Sequence, residues 1–331
     1  MPYRSPFEPA RGAVPGVLGD VSVVLHYGDP AREVAAMRGD AGLVDLSWRG
    51  VIEMTGRDRV RFLHGMCTND IKKLQTGQGC MAAIVNRQGK MVAEMIALAT
   101  ENALLLEMDR SNLQPAIDHL GRFLVADDVK LTISGAAVLG LWGPRAQALL
   151  GVRDLPDFHL VMREGTAVFR NRTIGVEGYH LLVPAAKADE ASRILSHGVV
   201  PAGFAAYETL RIENGFPRWT ADMDATLLPM EAGLDPIAIS YQKGCYIGQE
   251  VIQRVKTYSE PPRMLVQLEV ADAAPGDRIS AAGEEVGSVT SALPALALGF
   301  VRKEFKAPGT EVQVAGKPAR VRALPWQSRG F

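Results

Sequence analysis

Over the first three quarters of the chain, short strand-like apolar runs alternate with stretches of helical spacing; the remainder carries only short runs. Residues 51–55 form a β-prone run stopped by Gly56, and residues 58–64 follow with helical character. Residues 81–85 and 90–98 flank Asn86-Arg87-Gln88-Gly89, a turn rich in residues that tolerate positive φ, so the pattern predicts a hairpin, with a third strand at 104–108. Across residues 111–124, Leu113, Ile117, Leu120 and Leu124 share one helical face. Ser111 with Gln114 predicts a capping box there, and Pro115 sits in the first turn, where its missing N–H costs nothing. Residues 205–214 predict a further helix, with Gly215 as a left-handed stop.

An internal echo organises these elements. Val51-Ile-Glu-Met-Thr-Gly56 and the helix-forming residues after it align without gaps on Val138-Leu-Gly-Leu-Trp-Gly143-Pro144 and its continuation. Each copy is an apolar strand, a glycine turn and a short helix, and each is followed by a strand region and a second amphipathic helix (111–124; 187–196). Two related α+β units follow from this, about 1–135 and 136–258. Ser259-Glu-Pro-Pro-Arg263 then forbids a continuing helix and reads as a linker. Beyond it, six short β-prone runs joined by glycine and proline turns predict a small barrel or sandwich over 259–331.

Composition narrows the function classes. Nearly half the residues are apolar, and 36 Lys plus Arg against 37 Asp plus Glu leave no basic field to draw nucleic acid directly. Arg57, Arg59, Arg61, Lys72 and Lys73 are clustered, but such a run reads first as a solvated face. Three scattered cysteines argue against a disulfide framework and for a reducing compartment. The proline-rich polar start has no apolar signal core, and no run is long enough to span a bilayer, so the cytoplasm is the expected location and no membrane partner is expected. The six histidines show no spacing suited to a metal site, and no Rossmann or phosphate-loop glycine pattern is present.

The sharpest motif is Lys243-Gly-Cys-Tyr-Ile-Gly-Gln-Glu250. Gly244 and Gly248 allow tight turning and close backbone approach, and a helix from Gln249 onward puts Cys245 shortly before a helix N-terminus. The helix dipole and the Lys243 ammonium would favour a thiolate there. On the residues alone, Cys245 is either such a reactive thiol or a small buried cysteine in a tight turn.

That eight-residue run resembles the signature of the YgfZ-type folate-binding family, relatives of the glycine-cleavage T-protein. Supporting blocks are Arg211-Ile-Glu213-Asn-Gly215, Pro229-Met-Glu-Ala-Gly-Leu234 and Thr68-Asn69-Asp70, so the likeness covers most of the chain. The resemblance implies a T-protein-like α+β fold of two related subdomains plus a C-terminal β-barrel. It implies tetrahydrofolate as cofactor, bound in a central cavity, and iron–sulfur enzymes of the radical type, some of them tRNA-modifying, or cluster carriers as partners. Carried over by position, Glu213 would hold the pterin, with Arg211, Asn69, Tyr246, Gly248, Gln249 and Glu250 in the binding site and Cys245 with Lys243 as the reactive pair. On its residues alone, Glu213 reads first as a solvated carboxylate paired with Arg211 or Arg218.

One departure matters. T-protein relatives carry an aspartate pair where this chain has Ala93 and Glu94, and the glutamate is longer by one methylene. A displacement of about 1 Å can cost on the order of a hundredfold in rate. Glycine cleavage is therefore not expected. The expected function is support of iron–sulfur cluster assembly or repair; a folate-dependent one-carbon transferase with its own substrate is the alternative.

Overall fold

The computed structural model describes residues 4, 5 and 9–329. The remaining residues of the proline-rich start thus lie outside it. Gly79–Val85, Met91–Ala99, Leu104–Asp109, Arg49–Thr55 and Lys130–Ile133 form, in that spatial order, a five-stranded antiparallel sheet. The expected hairpin is present: Asn86 donates its N–H to the Lys90 carbonyl, and its side-chain oxygen accepts from Gln88 and Lys90. A second sheet of six strands runs Leu160–Arg163, Thr166–Arg170, Gly178–Val183, Ala137–Trp142, Gly42–Asp45 and Val200–Ala202.

The echo of the two units is visible in both sheets. Gly56 and Gly143 each take positive φ (102° and 127°), and a Cβ on either would lie 2.0 or 2.3 Å from a backbone carbonyl, of Asp128 or Asp40. Neither turn has room for a side chain. The division near residue 135 is not a clean one, however: Gly42–Asp45 joins the second sheet, between Ala137–Trp142 and Val200–Ala202. A four-residue strand cannot bury its apolar side chains alone, and the core of the second unit offers Leu43 a buried place.

The helix expected over 111–124 is shorter, Leu113–Gly121. Its capping box does not form, because Asp109 accepts from both the backbone N–H and hydroxyl of Ser111 and opens a single 3-10 turn instead. Phe204–Asn214 ends as expected on Gly215 at φ 74°. The C-terminal strands Arg263–Glu269, Arg278–Ala281, Glu284–Ala292, Leu296–Arg302, Glu311–Val314 and Lys317–Arg322 close into a barrel around their own apolar core. The exposed basic run is a solvated face: Arg57 pairs with Asp128, and Arg61 with Asp58 and Asp127.

Candidate functional site

Arg49 enters the molecule at the start of its strand, and its guanidinium is shared by two buried carboxylates on neighbouring strands. Its Nη1 donates to Glu94 at 2.5 Å, and its Nε and Nη2 donate to Glu107 at 2.5 and 2.7 Å. His180, on the second sheet, stands 3.6 Å from Glu107, longer than a hydrogen bond, and neither ring nitrogen has a hydrogen-bond partner. Trp142 meets the His180 ring edge-on at 5.4 Å. Arg49, Glu94 and His180 line a central cavity of about 30 Å³, together with Asn171, Tyr207 and Arg218. Both sheets and the helix Phe204–Asn214 thus contribute a wall.

One arginine cannot neutralise two carboxylates, and the pair divides unequally. Burial raises Glu94 to about 7, with Arg49 opposing and Glu107 assisting that rise. Burial also pushes Glu107 up, but the charge and hydrogen bonds of Arg49, with His180, outweigh it and hold Glu107 at about 2. Burial lowers His180, so its ring is neutral. The cavity is therefore lined by a carboxyl, Glu94, that can take or give a proton near neutrality, while Glu107 stays ionised behind Arg49.

Because folding favours the protonated form of Glu94, its contribution to stability is fully present below its unfolded value and is lost as pH rises through about 7. Glu107 acts oppositely: its contribution is present above its unfolded value and is lost as pH falls toward 2. Thermal unfolding of wild type and Glu94→Gln from pH 2 to 8 separates the two. The variant should lose the decline in stability across pH 5–7, on the order of 2 kcal/mol, while keeping the acid limb set by Glu107.

The segment 243–250 forms a second cluster, docked on the Asn86–Gly89 turn. Lys243 is buried, donates to the carbonyls of His64 and Cys67, and lies 4.7 Å from the Tyr246 ring. Burial lowers its ammonium below the ordinary value. Tyr246 is buried with its hydroxyl unpartnered, and Gln249 accepts from the Tyr246 N–H at 3.3 Å. Gly248 takes φ 81° and a Cβ there would lie 2.3 Å from the Asn86 carbonyl. Its neighbour Gln249 opens the helix Gln249–Tyr258, with Glu250 exposed in its first turn. Cys245 is exposed; Cys67 and Cys80 are not, and burial raises both thiols, Cys67 to about 11. Among the described residues no three His, Cys, Asp or Glu side chains are grouped to hold a metal ion.

Several expected roles change. The Lys243 ammonium is committed to backbone carbonyls, so it ties this loop to the helix Arg59–Met66 rather than serving the Cys245 thiol. Glu213 does not reach the central cavity; it is more than one third exposed and pairs with Arg38, neither Arg211 nor Arg218. Arg211 is fully buried and bonds Glu208, Asp222, the Phe216 carbonyl and the Ser291 hydroxyl, which makes it a structural hub. Asn69 donates to the carbonyls of Met81 and Ile237 and braces a loop. What sequence reading passed over is the set Arg49, Glu107 and His180. The available signal was a lone Glu in Leu104-Leu-Leu-Glu-Met108 and a lone His in Tyr179-His-Leu-Leu-Val183, polar residues inside apolar strands.

Residues 9–243 match the family described as GCVT N-terminal domain, and residues 263–329 match the CAF17 C-terminal beta-barrel domain. An aminomethyltransferase of Shouchella clausii is 31% identical over 333 residues, covering 92% of this chain and 90% of that protein. One from Exiguobacterium sibiricum is 30% identical, covering 86% and 85%. The crystal structure of aminomethyltransferase T of the glycine cleavage system from Bartonella henselae superposes with a TM-score of 0.88, covering 95% of this chain and 94% of that one, at 24% identity. At that identity the match shows the fold. No helix among the described residues is long and apolar enough to cross a membrane.

Proposed function

The chain belongs to the GCVT N-terminal domain family and ends in a CAF17-type, YgfZ-like barrel; on that premise we propose that it is a tetrahydrofolate-binding accessory protein for iron–sulfur cluster assembly or repair. The observation that carries this reading is the cysteine-bearing segment 243–250, packed closely against the hairpin turn that leads into the Glu94 strand. The thiol is presented to solvent while the lysine and tyrosine beside it are buried as its support. A loop built in this way suits contact with a partner protein better than turnover of a small substrate. Radical-type iron–sulfur enzymes, including tRNA-modifying ones, are the partners the resemblance implies.

The folate half of the proposal rests on the family and on the polar chemistry of the central cavity. The Glu94 carboxyl and the unpartnered nitrogens of His180 suit the donors and acceptors of a pterin edge. The space does not yet fit. Ligand pockets occupy roughly 300–1,000 Å³, against about 30 Å³ here. Binding therefore requires the side chains that line the cavity to rearrange.

Trp142 beside His180 and Trp48 beside Tyr207 give an intrinsic reporter. Titration with tetrahydrofolate should quench tryptophan fluorescence, and His180→Ala should weaken binding at least tenfold. Incubation with tetrahydrofolate and an amine donor should yield no methylene-tetrahydrofolate, since Ala93 replaces the first acidic position. Turnover would favour a one-carbon transferase instead. Absence of binding in both proteins would end the folate claim.

A further inference from the structure

A cavity far larger than the central one lies elsewhere in the described residues. A cleft of about 630 Å³ lies on the other face of the six-stranded sheet, under the hairpin Val14–Leu18/Val21–His26. Leu43 and Leu139 of the sheet form its floor, Ala191 and Leu195 of the helix Glu190–Leu195 one side, and Val17 and Val24 of the hairpin the roof. These walls are apolar, and the volume is that of a site for a drug-sized molecule. Val17 is 62% exposed at the rim, so the apolar lining continues to solvent.

Polar groups converge at one end. Asp45, at the end of its strand, lines the cleft with Tyr27. The hydroxyl of Ser47 donates to the Asp45 carboxylate at 2.7 Å, and Ser5 also hydrogen-bonds it. The Arg110 guanidinium favours the charge on Asp45 but donates to the carbonyls of Ser47 and Arg49. Burial nonetheless dominates and pushes the Asp45 carboxyl up, the state of an acid short of compensating positive charge. Burial likewise raises Tyr27, to about 12, with Asp45 and Glu33 adding to the rise, so its hydroxyl stays protonated. Glu33 is itself buried and accepts from the N–H groups of Tyr27 and Gly203. Asp45 is thus the acid of the lining, and Arg4, the cation among the lining residues, is exposed and screened by water.

We propose that this cleft is a second ligand site, taking an amphipathic organic cation whose apolar body fills the space between hairpin and sheet and whose ammonium head meets Asp45. A cation there adds positive charge beside the half-buried Asp45 carboxylate, which already accepts from Ser47 and Ser5, and the apolar body removes exposed Val17 from water. The site shares no lining residue with the central cavity.

The test uses the full chain and three fluorescent probes with one ring system: 2-naphthylmethylammonium, 2-naphthalenemethanol and 2-naphthoate. The ammonium probe should bind at least tenfold more tightly than the other two. Asp45→Asn should bring it level with the alcohol. Val17 and Ser22 face each other across the hairpin and both line the cleft. Val17→Trp and, independently, Ser22→Trp should fill it and weaken the ammonium probe at least tenfold, in proteins whose melting temperatures match wild type. Equal affinity for the three probes, tighter binding of naphthoate, no binding at all, or binding indifferent to both tryptophan variants would each overturn the proposal.

Discussion

Replacing Arg211 with alanine should lower the stability of the chain by about 3–5 kcal/mol, the cost of leaving buried carboxylates without their cation. Arg211 is fully buried and reaches three separate parts of the fold. Through Nε and Nη2 it bonds Glu208 one helical turn away, at 2.7 and 2.8 Å; through Nη1 it bonds Asp222 at 2.6 Å. It also donates to Ser291 of the barrel strand Glu284–Ala292, and Asp222 in turn accepts from Thr290 and Ser291. The network holds helix, loop and barrel together, so its loss should also speed proteolysis near residues 259–262. Glu213, two residues on, is the internal control: its partner Arg38 is half exposed, and Glu213→Ala should change stability by no more than about 0.5 kcal/mol. Chemical denaturation of both variants checks the contrast. A similar loss in both would show that Arg211 is no hub.

Gly248→Val should be nearly as costly and should also undo the cysteine loop. At φ 81° a β-branched residue is strained by about 1–3 kcal/mol. Its Cβ would also lie 2.3 Å from the Asn86 carbonyl and 3.2 Å from the Gly89 Cα, both backbone atoms that cannot rotate away. The hairpin turn is itself held by the Asn86 side chain on Gln88 and Lys90, so the loop must give way. The expected result is a loss of about 3 kcal/mol or more, with faster hydrogen exchange across 243–250 and 86–89 but not in the barrel. Exchange unchanged in both segments would mean that the close approach is not what seats the loop.

Much of the fold was legible because it is local. Strand periods, the Asn86–Gly89 turn, the Gly215 stop and the six barrel strands each depend on neighbouring residues. The cavity cluster was not, because it exists only once pairing brings Arg49, Glu94, Glu107 and His180 together across two sheets. The strand Gly42–Asp45 shows the same limit, since its partners come from much later in the chain. Glu213 is a different case. Along its helix Tyr207, Leu210, Arg211 and Asn214 follow the 3.6-residue stripe and are buried, and position 213 lies off that stripe. Arg211 lies on that stripe, while Glu213 is left partly exposed beside Arg38. The acceptors of Lys243 are likewise hidden from the sequence, being two carbonyls of a helix end distant along the chain.

The central claim is that a solvent-presented thiol on a closely packed loop serves iron–sulfur enzymes. Cys245 is exposed, so Cys245→Ser should alter stability by no more than about 0.5 kcal/mol, which lets function be read separately from folding. The direct test is rescue of cells lacking their own relative of this protein, with wild type and Cys245→Ser at equal protein levels, under mild oxidative stress. The activity of a cluster-containing radical enzyme is the readout. The account predicts rescue by wild type and none by the serine variant. Failure of wild type, or full rescue by the variant, would contradict it.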